Sequence, residues 1–121
     1  MSRRDPQRIR AGVRLARASP MARSFVLVDA IPGREDDVYE ALGSVPAVRG
    51  RRKLTQKVGN ADILALVEAA DSNGIEKVMT GTLRGISGVH TIRRVALHHT
   101  IVGGLRKLMT EIEREVDGSK A

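Results

Sequence analysis

The stretch V-G-N-A-D-I-L-A-L-V-E-A, residues 58–69, joins a tight turn to a strand that reads as buried. Gly59 and Asn60 tolerate positive φ at a hairpin tip, and residues 63–67 then run apolar without a break, as a strand covered on both faces does. Asp62 interrupts this pattern. Its carboxylate stands where the turn enters the strand, and two roles fit it: a turn cap through its own backbone, or a polar contact for a bound molecule.

Working outward, residues 24–31 are rich in β-formers (F-V-L-V) and stop at Pro32-Gly33, a strong turn signal. A helix is predicted over 34–43, with acids in its first turn where the helix dipole favours them and Val38, Ala41 and Leu42 on one face. Pro46 ends it. Residues 47–58 read as a second strand bearing Arg49, Arg51, Arg52, Lys53 and Lys57. Beyond the strand at 62–69, Asp71 or Ser72 caps a second helix in which Ile75, Val78, Met79, Leu83 and Ile86 recur at three and four residues. Gly85 and Gly88 bracket its end, and a fourth strand is predicted over 89–102.

This order is the α+β, ferredoxin-like βαββαβ arrangement. Two helices on one side of four antiparallel strands leave the other sheet face bare, and a second copy of the chain is the expected cover. After Gly103-Gly104, residues 105–116 set Leu105, Leu108, Met109, Ile112 and Val116 on one helical face, with charges on the rest. That extra C-terminal helix is expected to pack on its own domain or on a neighbouring subunit, the neighbour being preferred.

Composition narrows the function classes. At 121 residues the chain holds one domain, and with Phe25 and Tyr39 its only aromatics the core must be aliphatic. Base stacking is therefore a poor binding mode for it. The absence of cysteine excludes disulfides, thiolate metal sites and cysteine nucleophiles, and fits a reducing, cytoplasmic location. No apolar run approaches a membrane span, and no membrane partner is expected.

The net charge of +7 resembles a nucleic-acid signature until it is mapped along the chain. Arg3, Arg4, Arg8, Arg10, Arg14 and Arg17 lie in the first twenty residues against the single acid Asp5, so the remainder carries only +2. Three segments follow: a basic arm at 1–23, expected to be disordered; a domain at 24–102; and a C-terminal helix and tail at 103–121. The arm reads as a solvated tail, as sequence ahead of a start at Met21, as a nucleic-acid contact or as a targeting segment.

The motifs F-V-L-V-x-A-x-P-G-R-E-D-D-V (25–38), A-L-x-x-V-P-A-V (41–48), V-G-N-A-D-I-L-A-L-V-E-A-A-D (58–71) and I-S-G-V-H-T (86–91) together resemble the effector-binding (RAM) domain of the Lrp/AsnC regulators. The resemblance covers about two thirds of the chain and implies a dimeric α/β barrel of two sheets face to face, often assembled further. It also implies binding of a small molecule, an amino acid in the first place, and transcription regulation by amino-acid sensing. The family's helix-turn-helix has no counterpart in the arm, so a stand-alone form is expected, with direct DNA binding not expected and mixed assembly with a full-length relative as a partner mode. Carried over, Gly59, Asn60, Ala61 and Asp62 would meet the ammonium and carboxylate of the ligand. The chain departs from the family where an aromatic is often found, at Ala61, and where hydroxyls are expected on the last strand, at Ile92 and Arg94. Thr91 remains nearby, and Arg94 is the candidate replacement carboxylate partner.

The same barrel serves small oxygenases and haem-handling enzymes, which makes His90, His98 and His99 the catalytic candidates. His98 and His99 are adjacent on a predicted strand and point to opposite faces. His90 has no evident carboxylate partner in sequence. No catalytic residue, cofactor or metal site is therefore expected. The basic run at 49–53 reads as charge protecting a strand end from edge pairing, or as an anion site at an assembly interface. A basic-armed nucleic-acid accessory protein is the remaining alternative.

Overall fold

The computed structural model describes residues 21–96 and 104–118. Strand β1 (Ala22–Ala30) leads through the Pro32-Gly33 turn into helix α1 (Glu35–Gly43), followed by β2 (Val48–Val58) and β3 (Ala61–Ala69). Helix α2 starts at Ser72 and runs α-helical to Lys77, then widens into a π-helical turn over Val78–Leu83 before β4 (Val89–Arg94). Helix α3 (Leu105–Gly118) closes the described chain. All sheet pairs are antiparallel in the order β2-β3-β1-β4, the ferredoxin-like topology that the sequence predicts.

Side-chain alternation assigns each face its cover. Val26, Val28, Ile63, Ala65 and Val67 point toward α1 and α2, meeting Val38, Leu42, Ile75 and Leu83. Leu27, Leu64 and Leu66 point the other way and meet Leu105, Ile112 and Val116 of α3. The expectation of a bare second face is thereby corrected: the chain's own C-terminal helix occupies it, instead of a neighbour's. Each of those three α3 side chains contributes on the order of 1.5–3 kcal/mol by burial. The unbroken apolar run in β3 now has its reason, since all eight residues 61–68 are buried between two layers of helix.

Gly50 permits this close approach. It stands opposite Leu66 after a register shift in β2, and a Cβ there would lie 2.6 Å from Cγ2 of Ile112 and 3.3 Å from Cγ2 of Val116. Ion pairs secure the far end of the helix: Arg23 to Asp117 at 2.8 Å, and Arg52 to Glu115. The Asp117 and Glu68 carboxylates raise the Arg23 pKa above its usual range.

Two further differences from the sequence reading have local causes. The second helix is not uniformly α-helical: Arg84 N–H donates to the Met79 carbonyl five residues back, and the widened turn keeps Ile75, Met79 and Leu83, spaced by four, on the sheet side. Strand β4 ends at Arg94, one hydrogen bond beyond which Val95 N–H reaches the Phe25 carbonyl at 2.9 Å. Residues 97–102 of the predicted fourth strand lie outside the described residues. Of the two N-cap candidates for α2 the structure uses Asp71, whose Oδ1 accepts from Gly74 N–H at 2.8 Å. Asp71→Ala should cost about 1 kcal/mol, read as a shift in the denaturant midpoint at constant slope.

Candidate functional site

The β2–β3 hairpin is a two-residue turn, with Val58 paired to Ala61 and Gly59 at φ +61°. That left-handed backbone is the conformation a two-residue hairpin needs and glycine supplies without strain. The turn places Asp62 at the start of β3, one step beyond the Val28–Ile63 pair and hence beside Asp29 of β1. On the α3 side of the sheet, this end brings Asp29, Asp62 and Thr91 together, with Thr91 directly opposite Asp29.

Asp62 is neither a cap on its own turn nor an idle carboxylate. Its Oδ2 accepts from the Ala30 N–H of β1 at 2.9 Å, and its Oδ1 lies 3.2 Å from Nζ of Lys57. The first bond satisfies a backbone donor where the β1–β4 register shifts at Asp29/Ala30, a place where the ladder leaves one unpaired. The second offsets a carboxylate that is only 8% exposed. Asp29, equally buried, accepts from the Thr91 hydroxyl at 3.5 Å.

The structure keeps Gly59, Asn60, Ala61 and Asp62 on the hairpin, places Thr91 against Asp29 of the intervening strand β1, and puts Arg94 on the other face of the sheet. Arg94 pairs opposite Val26, on the face covered by α1 and α2. There it bonds the Ser72 carbonyl at 3.3 Å and Glu76 at 3.2 Å. Its neighbour Arg93 faces the α3 side, opposite Leu27, and sends its guanidinium to the hairpin. Asp29, Lys57 and Arg93 thus lie beside the predicted site residues Thr91, Asp62 and Gly59, and sequence reading did not single them out. The signal for Arg93 was strand parity: a residue two positions from Thr91 shares its face, and Arg94 does not.

Between β2 and the start of α3 lies a cavity of about 250 Å³, lined by Leu54, Thr55, Val58, Gly104, Leu105, Lys107, Leu108 and Glu111. Val58 serves both as a wall of this cavity and as a hairpin residue. The basic run of β2, in contrast, is spent within the fold. Arg49 pairs with Glu68 at 2.8 Å, Arg52 with Glu115 and Lys53 with Asp36, while Arg51 lies 4.2 Å over the Tyr39 ring. Asp36 raises the Lys53 pKa through its hydrogen bond.

His90 is exposed on β4, and His98, His99 and the basic arm lie outside the described residues. Among the described residues no three His, Cys, Asp or Glu side chains converge as a metal site would require. No helix among them is long and apolar enough to cross a membrane.

No protein-family model matches the chain, and no curated protein matches it in sequence. Solved structures do. TTHA0845 of Thermus thermophilus superposes with TM-score 0.55 at 24% identity, over 63% of this chain and 90% of its own. The transcriptional regulator NMB0573 of Neisseria meningitidis, solved with L-Met, gives 0.53 at 18%, over 78% of this chain and 55% of its own. AsnC of E. coli gives 0.54 at 11%, over 75% and 70% respectively. The RAM-like fold implied by the resemblance is therefore the fold of this chain, while function must be argued from the site.

Proposed function

We propose that this chain is a small-molecule-binding and assembly domain of the Lrp/AsnC regulator type, acting by binding and not by chemistry, with an amino acid as its ligand class. The observation that carries the reading is the buried Asp62 at the hairpin. It is a carboxylate aligned by a backbone N–H and accompanied by an exchangeable lysine ammonium, beside a second buried carboxylate. Such a place accepts a ligand ammonium. Regulator NMB0573, which shares the fold, was solved with L-Met, and that supports an amino acid as the class to test first. The adjoining cavity of about 250 Å³ has a mixed lining, with Leu54, Val58, Leu105 and Leu108 beside Thr55, Lys107 and Glu111, which suits a small molecule with both apolar and polar parts.

Assembly as a homodimer or larger homo-oligomer belongs to the same proposal. With α3 seated on the second sheet face, association uses other surfaces unless that helix leaves. A thermal-melt screen with the twenty amino acids at millimolar concentration tests the ligand reading. At about 100 times its Kd a ligand adds roughly 2.7 kcal/mol, a shift of several degrees in a domain of this size. The expected result is a shift with at least one amino acid, lost in Asp62→Asn and retained in His90→Ala. A shift with none of the twenty, or one indifferent to Asp62→Asn, refutes it.

A further inference from the structure

The β2–β3 register breaks between Lys53 and Val58, and the cavity of about 250 Å³ lies at that break, between β2 and the first two turns of α3. Breaks of this kind re-aim side chains and recur beside binding sites. Leu54, Val58, Leu105 and Leu108 supply the apolar walls, and Lys107 and Glu111 the charges. These two stand four residues apart on α3, yet no ion pair joins them within 4.0 Å, and lysine ahead of glutamate is the weaker helical order. Among the described residues the Glu111 side chain has neither an ion pair nor a hydrogen bond. Glu111 is half-buried, whereas Lys107 is exposed and its flexible stem leaves the ammonium in water.

A carboxylate held half out of water beside apolar walls, with no partner of its own, is the condition that a cationic ligand relieves. We propose that this cavity is a binding site for a primary aliphatic amine, whose ammonium donates to the Glu111 carboxylate and whose alkyl chain lies among Leu54, Val58, Leu105 and Leu108. An apolar cavity of about 150 Å³ takes a benzene-sized molecule, so this one accommodates roughly six to ten non-hydrogen atoms. The inference goes beyond the amino-acid reading and does not depend on it, since none of Asp29, Asp62 and Thr91 lines the cavity. It also has a consequence for the fold. An amine in this place touches β2 and α3 at once, and its binding energy holds the helix on the sheet.

Calorimetric titration of the full chain at neutral pH with butyl-, hexyl- and octylamine, each beside the alcohol and the carboxylate of the same length, tests this. Each added methylene should tighten amine binding about fourfold until the chain outgrows the cavity. Hexylamine should bind about tenfold or more tightly than hexanol or hexanoate, as a charge-assisted hydrogen bond requires. Glu111→Gln should bring hexylamine down to the level of hexanol, while Asp62→Asn and Lys107→Met leave its binding unchanged. Bound hexylamine should also slow amide hydrogen exchange in the first two turns of α3. Hexanoate bound as tightly as hexylamine, or wild-type hexylamine binding in Glu111→Gln, overturns the inference. So does loss of that binding in Asp62→Asn or Lys107→Met, or no binding of any of the three amines. The amino-acid reading stands or falls by its own screen.

Discussion

Ile112→Asp should detach α3 from the sheet and turn a self-covered domain into one that associates with itself. Ile112 is fully buried, its methyl group seated where Gly50 leaves room on β2. Truncating such a side chain to alanine costs about 2–5 kcal/mol, and burying a charge in its place adds to that. The remaining attachments cannot compensate. The exposed Arg52–Glu115 and Arg23–Asp117 pairs contribute about 0–1 kcal/mol each. A helix of fourteen residues is also marginal without a surface to pack on. The variant should therefore lose far-UV helical signal, expose Leu27, Leu64 and Leu66, bind more hydrophobic dye and show a higher mass by light scattering. An Ile112→Asp chain with wild-type mass and dye binding would mean that α3 is not the cover of this face in solution. Arg52→Ala serves as the control and should change little.

Asp62→Ala should destabilise the domain by about 1–3 kcal/mol before any ligand is considered, because it leaves the Ala30 N–H buried without an acceptor. The loss of Lys57 as a partner adds little, since that side chain is 59% exposed and rehydrates. Asp62→Asn should recover most of the stability, because an amide oxygen still accepts from Ala30 while the negative charge is gone. Denaturant melts of the two variants separate these roles. If Asp62→Asn is as unstable as Asp62→Ala, the charge and not the backbone bond is what the fold uses. That difference also makes asparagine the better probe of ligand binding, since a ligand response lost in a folded protein reports on the site.

Much of the fold was legible in the sequence. The Gly59-Asn60 turn, the Pro32-Gly33 turn and the apolar periodicities of both central helices are local signals, and each specifies its own element wherever it occurs. The run Ile63–Val67 also announced two covered faces, because period-two alternation disappears only when both sides of a strand are dry. It could not say what covers the second face. Leu105, Ile112 and Val116 present the same stripe whether they meet their own sheet or another, so amphipathicity leaves intramolecular and intermolecular packing equivalent.

The candidate site was legible only in its hairpin. Asp62 stood out because a carboxylate entering an apolar strand has few explanations, but its partner, the Ala30 N–H, lies 32 residues away. Arg93 and Arg94 are indistinguishable in sequence until the β1–β4 register sets their parity, which sends one to the hairpin and the other to Glu76. The basic run of β2 looked available for an anion until its partners on α1, β3 and α3 came into place. The sequence by itself determined the elements, their order and the aliphatic nature of the core, since these follow from backbone preference and the period of burial. Only the tertiary structure decided which charges remain unpaired and which surface α3 covers, because both depend on distances between residues far apart in the chain.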